Sequence, residues 1–323
     1  MLYPFKFQPL FVEKIWGGQK LKKILGKEVG HIQHCGESWE IFDVGDQISE
    51  VVNGFLAENN LEELIEVYMG DLVGDKVFNE YGLQFPLLFK YIDAQEDLSV
   101  QVHPDDALAM RRYGCNGKSE MWYVIDADAG AGIYLGFKKG VKKQDYLQAV
   151  KNGNVDQLLV FYPVQKGDCF YVPAGTVHAI GKGVLLAEIQ QSSDCTYRIF
   201  DWNRVDAFGF PRELHTAEAE EALHFNDKTD YKIQYEPKLN QSVLLVDTPH
   251  FKVITLQFNQ PMEKIYAKID SFVVYMCIEG SVHVIYEDKR TQLQKGETIL
   301  VPAIATNVML LPQKNVHLLE IYM

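Results

Sequence analysis

The stretch DLSVQVHPDD (97–106) sets chemistry-bearing side chains on one face of an extended chain. Side chains of a strand alternate, so Leu98, Val100 and Val102 point one way and Ser99, Gln101 and His103 the other. An amide oxygen and an imidazole then stand within reach of one cation. Pro104 stops the strand, and Asp105 or Asp106 can cap a helix beginning in DDALAM. Further on, Glu120 opens the apolar run of GKSEMWYVID, two residues after Lys118. His178 follows a Pro-Ala-Gly turn in VPAGTVHAI. Two histidines, a glutamate and a glutamine from separate strands suit a four-point divalent site with one position left for water. Nitrogen and oxygen donors without thiolate fit catalytic zinc, and manganese or iron accept the same set. The bland alternatives are a half-buried strand with an ordinary polar face and, for Glu120, a solvent-facing edge residue.

The run EIQQSSDCTYRIFDWNR (188–204) carries a second group of candidates. Arg198 and Arg204 are cations in an aromatic, strand-like context, where they can hold a phosphate or a developing enediolate oxygen. They can equally form salt bridges to Asp201 or Asp194. Glu188 and Asp194 are candidate general acids or bases. His31 and His34 read as a surface turn, and the paired glycines after Trp16 as a tight turn. No GxxxxGK[ST] and no GxGxxG after a strand occurs, so a nucleotide cofactor is not expected.

The elements that must position these groups are mostly short strands: MWYVID, DCFYVPA, VLLAEIQ, SVLLVD, FKVITLQF, VVYMCI, VHVIYE and TILVPA. Helical spacing marks LEELIEVYMG, DKVFNEYG, DDALAMRRYG, KKQDYLQAVKNG and VDQLLVFYPV, and PRELHTAEAEEALHF reads as a helix with Pro211 in its first turn. KGDCFYVPAGTVHAI (166–180) repeats as KGETILVPAIATNVML (295–310) at an offset of 129, which pairs His178 with Asn307. The expected fold is mainly β, two cupin-like jelly-roll barrels with a few short helices. Residues 1–205 form the metal-binding domain, 206–245 a helical bridge and 246–323 a degenerate barrel. The formal charge of −13 argues against nucleic acid. No apolar run reaches the roughly 20 residues of a membrane helix, and the first residues lack signal-peptide features, so the expected location is the cytoplasm. Cys35, Cys115, Cys169, Cys195 and Cys277 form no CxxC pair and read as buried thiols.

Taken together, WGGQKL, GESWEI, FPLLFKYIDAQEDLSVQVHPDD, GKSEMWYVI and VPAGTVHAIGKGVLLAEIQQSSDCTYRIFDW resemble the type I mannose-6-phosphate isomerase family in its shorter bacterial form. The resemblance covers nearly the whole chain. It implies one zinc ion per chain, a small phosphorylated sugar as substrate, and interconversion of mannose 6-phosphate and fructose 6-phosphate through a cis-enediol. It places the metal ligands on Gln101, His103, Glu120 and His178, the active-site arginine on Arg198, and the motif lysine on Lys118, with Ser119 where the family has proline. Lys118, Arg198 and Glu188 are then expected around the substrate, and Asp194 as the base, with Glu188 or metal-bound water as alternatives. The competing readings are a sugar-phosphate-binding regulatory cupin without turnover and another cupin metalloenzyme such as a dioxygenase.

Overall fold

Alternation of apolar and polar residues sorts each long strand into two faces. In Glu120–Ala127, Met121 and Tyr123 enter one core while Trp122 and Val124 enter another; in Leu87–Ala94, Phe89 and Tyr91 separate in the same way from Ile92. A sheet buried on both faces must be an inner layer, and the computed structural model, which describes residues 2–205, 209–225 and 230–323, places it there.

The first body pairs two sheets. One has strand order Cys169–Val172, Glu120–Ala127, Val184–Gln191, Leu87–Ala94, Leu10–Gly18, Cys35–Ile41; the other runs Leu159–Pro163, Gly132–Phe137, His178–Ile180, Val100–Val102, Tyr197–Phe200. Trp122, Ile133, Leu135, Ile180 and Leu186 fill the space between them. The second body repeats the plan, with a six-stranded sheet facing a four-stranded one. The two six-stranded sheets pack back to back through Phe89, Met121 and Ile189 on one side and Val274, Leu300 and Ile321 on the other. The expected architecture of two cupin-like jelly rolls holds, as paired sheets rather than closed cylinders. Phe5–Lys6 forms the edge of the second body's large sheet, pairing with Thr298–Val301. No described helix is long and apolar enough to cross a membrane.

The internal repeat is real but shifts by one residue at its turn. Val172 pairs with Glu120 and Val301 with Val273, so the offset of 129 holds through Val-Pro-Ala. The second turn is longer by one, so Asn307 points outward, exposed, and donates to Glu263 at 2.7 Å. The buried counterpart of His178 is therefore Val308, not Asn307. The same register sets Lys264 against Val308 as Gln101 is set against His178. Two residues on, Tyr266 occupies the place of His103, and Glu320, paired with Tyr275, that of Glu188, paired with Trp122. Lys264 Nζ lies 2.7 Å from Glu320, and the hydroxyls of Tyr266 and Tyr275 are hydrogen-bonded. An internal ammonium thus holds together a mouth in which valine and tyrosine stand where the first body has its two histidines.

Four other expectations change. VDQLLVFYPV is a short 3-10 turn, Val155–Leu158, followed by the strand Leu159–Pro163; an apolar run of that length does not by its pattern distinguish the two. The helix near Pro211 begins only at Thr216, and Pro211 instead bridges to Val205. Residues 206–245 accordingly hold one short described helix, Thr216–Ala222, and lead into the strand Gln241–Asp247. Residues 206–208 of that bridge lie outside the described residues, as do 226–229. Trp16-Gly17-Gly18 ends a strand rather than forming a turn; a Cβ on Gly17 would stand 2.3 Å from the His34 carbonyl oxygen.

Candidate metal centre and active site

His103 lies just beyond the strand Val100–Val102, where Pro104 ends the pairing, and is buried. Its Nδ1 lies 2.9 Å from the Cys195 carbonyl, and that of His178 2.8 Å from the Thr176 carbonyl. Each contact spends the Nδ1 proton on a backbone acceptor, which turns the Nε2 lone pair inward. Burial drives both imidazoles below their ordinary pKa, His103 well below with Lys118 adding to the effect, so both are neutral. Gly175 makes the turn before His178 with φ of 81° and donates its N–H to the His103 carbonyl at 2.8 Å, joining the two histidine segments.

Glu120 Oε1 faces both imidazoles, 3.1 Å from His178 Nε2 and 3.5 Å from His103 Nε2. One ligating atom from each of the three residues lies within 4.8 Å of the others. The Gln101 amide is 3.3 Å from His178 Nε2. Among the described residues, neither carboxylate oxygen of Glu120 nor Nε2 of His103 has a hydrogen-bond partner. Buried acceptors turned toward one another without a hydrogen bond are unfavourable by several kcal/mol, and a divalent cation among them removes that penalty. The donor set fits a divalent metal ion.

The loop bearing Lys118 is clamped. Asp105 caps the helix Asp106–Tyr113 through the Leu108 N–H, and Asp106 accepts from the Gly117 N–H and the Gln191 amide, all at 2.8 Å. Lys118 Nζ is thereby held 3.5 Å from Glu120. Above lies a cavity of about 260 Å³ lined by Gln101, Lys118, Glu188, Asp194 and Arg198 among others. Lys118, Glu188, Asp194 and Arg198, expected around the substrate from the sequence, all line this cavity, whereas Arg204 does not.

The two arginines divide. Arg204 pairs with Asp201, as does Arg212. Arg198 stays out of that cluster: it donates to the Glu213 carbonyl at 2.9 Å, while its buried Nε has no hydrogen-bond partner among the described residues. Burial and the neighbouring Arg212 hold its pKa below the ordinary arginine value. It stands directly across from Gln101 in the sheet.

The cavity is also lined by Lys14, Glu37, Trp39 and Lys90, which sequence reasoning missed. Trp122, Glu188, Lys90 and Trp39 sit side by side in register across four strands. The Trp122 indole donates to Glu188 at 2.9 Å, Lys90 Nζ is 3.3 Å from Glu188 and 3.9 Å from Glu37, and Lys14 is 3.1 Å from Glu37. Burial works against the charge on both Glu37 and Lys90. For Glu37, Lys90 and Lys14 outweigh it and lower the carboxyl; for Lys90, Glu188 and Glu37 outweigh it and raise the amine. The available signal was one lysine in the wholly buried strand of FPLLFKYIDA and an acid at strand period in GESWEI.

Two cupin-like bodies, one carrying a histidine–glutamate–histidine centre under a charged cavity, define a double-cupin metalloenzyme architecture. The family model for phosphomannose isomerase type I, catalytic domain, matches residues 4–127. The chain is 36% identical over 301 residues to mannose-6-phosphate isomerase of Streptococcus mutans, spanning 91% of this chain and 92% of that one. Against mannose-6-phosphate isomerase ManA of Bacillus subtilis it is 35% identical over 305 residues, 93% of each. The crystal structure of the mannose 6-phosphate isomerase from Bacillus subtilis superposes with a TM-score of 0.87 at 34% identity, covering 100% of both chains. The chain belongs to the type I mannose-6-phosphate isomerase family.

Proposed function

We propose that the family reaction, interconversion of mannose 6-phosphate and fructose 6-phosphate, takes place in the cavity above His103, Glu120 and His178, with Gln101 as a fourth ligand and one zinc ion per chain. The carrying observation is the set of inward-facing acceptors of His103 and Glu120, without a hydrogen-bond partner among the described residues, next to Gln101 and Lys118, which line the cavity together with Arg198. Bound there, the ion supplies Lewis acidity and a template for neighbouring sugar oxygens.

Moving a proton between C1 and C2 requires a base over the two carbons and positive charge where the enediolate oxygen develops. Lys118, fixed by its clamped loop and buried beside Glu120, provides that charge. Arg198, across from Gln101, is free of carboxylate partners among the described residues and holds the phosphate. Between the candidate bases, Glu188 has both oxygens engaged, one accepting from the Trp122 indole and the other paired with Lys90. Asp194 is exposed at the cavity edge and is the base. A phosphorylated sugar as substrate and cysteines free of disulfides fit a cytoplasmic enzyme.

The test is an assay coupling fructose 6-phosphate formation to a dehydrogenase, with and without chelator, on the wild type and on His103→Ala and His178→Ala. Metal content and turnover should vanish together in both variants. Full activity in a metal-free variant refutes the assignment. Tight binding of mannose 6-phosphate without conversion, or oxygen uptake at an electrode, refutes the reaction.

A further inference from the structure

Of the five cysteines expected to be buried, Cys115 and Cys195 are instead partly exposed, and their sulfurs lie 3.3 Å apart although they are 80 residues apart in the chain. Both belong to loops that build the metal site. Cys115 follows Gly114, which ends the helix Asp106–Tyr113 in a left-handed conformation, and precedes Lys118 by three residues. Cys195 adjoins Asp194, and its carbonyl oxygen is the acceptor that orients His103.

We infer that Cys115 and Cys195 form a thiol pair that closes to an internal disulfide under a low-molecular-weight disulfide oxidant and thereby weakens the hold of His103 on the metal. The inference takes the proposed metal site as its target. One thiol, as thiolate, attacks the outer disulfide and expels one thiolate. The second protein thiol then displaces the other, so that two protein thiols and one small disulfide become one protein disulfide and two small thiols. The oxidant gains the two electrons that the cysteines lose.

A disulfide requires sulfurs about 2.0 Å apart, so the loops must approach by little more than an ångström from their separation of 3.3 Å. The bond draws the Cys195 backbone toward the loop of 114–119. The Cys195 carbonyl is displaced from the His103 ring, while Ser193, held by the Gln190 amide at 2.8 Å, resists the movement on the other side. Loss of such an outer partner of a metal-bound histidine typically costs about 10- to 100-fold in metal affinity or activity. Cys115 itself reaches neither metal nor substrate, so its removal leaves the reduced enzyme active.

The experiment treats metal-loaded protein with glutathione disulfide, digests one portion under non-reducing conditions for peptide mass analysis, and measures metal affinity in another by competition with a chromophoric chelator. Wild type should yield a linked Cys115–Cys195 peptide and lose about tenfold or more in zinc affinity. Dithiothreitol should restore the affinity, and Cys115→Ala should show neither the link nor the loss. Only glutathione adducts, only links between molecules, a linked peptide with unchanged affinity, or an equal loss in Cys115→Ala would each overturn the inference. Because the link and the affinity are read without turnover, failure of the isomerase reading would appear separately, as an untreated enzyme that binds metal but makes no product.

Discussion

His317 gives the sharpest stability prediction. It is buried in the second body, its Nε2 lies 2.8 Å from the Thr255 hydroxyl, and the ring of Tyr123 from the first body packs against it edge-on at 5.4 Å. Burial, with Lys166 adding, pushes its pKa from 6.5 down to about 4. An unfolded chain takes up the proton as pH falls below 6.5, whereas the native protein refuses it until about 4. The resulting stability is whole above 6.5, declines as pH falls through this window and is lost near 4. A tenfold ratio is worth about 1.4 kcal/mol, so the window is worth about 3 kcal/mol in full and about 2 kcal/mol between pH 7 and pH 5. His317→Gln keeps an amide beside Thr255 and cannot titrate. Urea unfolding followed by circular dichroism at pH 7 and pH 5 should show wild type losing about 2 kcal/mol more than the variant. The other buried histidines are common to both proteins and cancel in that comparison. An equal loss in the two proteins would refute the argument.

Three further substitutions test the site and its counterpart. Arg198→Ala should lower kcat by about 10- to 100-fold, the worth of one or two hydrogen bonds to a charged group, with metal content intact; loss of zinc instead makes the arginine structural. Trp122→Phe removes the indole N–H that holds Glu188, and about a tenfold fall in kcat/KM at full metal occupancy is expected; unchanged kinetics would dismiss that contact. Lys264→Met strands Glu320 and should destabilise the fold by about 3–5 kcal/mol, most of it regained in Lys264→Met/Glu320→Gln; equal unfolding midpoints for the single and double variants would show that the two groups are uncoupled.

Much of the site was legible because strand alternation is local. SVQVH fixes which side chains share a face, whereas Leu98, expected beside Val100 and Val102, packs in the other core and lines the cavity with Ser99 and Gln101, because the strand begins only at Val100; the strand that Glu120 opens and the turn before His178 follow the same short-range rules. What was missed depends on register between distant strands. Nothing near Lys90 in the sequence says that Glu188 and Trp39 will flank it, and nothing near Cys115 names Cys195 as its neighbour. The pairing of His178 with Asn307 failed for a related reason: one added residue in the turn after Val301 moves Asn307 to the outer face and brings Val308 in, a change a fixed offset does not reveal. The short run in VDQLLVFYPV carries no marker that separates a helix from a turn followed by an edge strand, and tertiary pairing with Gly132–Phe137 decides it.

The edge strand Phe5–Lys6 ties the order of folding to the order of synthesis. Phe5 pairs with Leu300, Lys6 with Ile299, and the Lys6 ammonium reaches Glu297 at 2.7 Å. This early segment must wait for nearly 300 residues to leave the ribosome before it has anything to dock on, a long-range closure that slows folding. Until it docks, the strand Thr298–Val301 presents open backbone groups able to recruit another chain. A bulky fusion placed just ahead of Tyr3 therefore bears on how cleanly newly made protein is recovered.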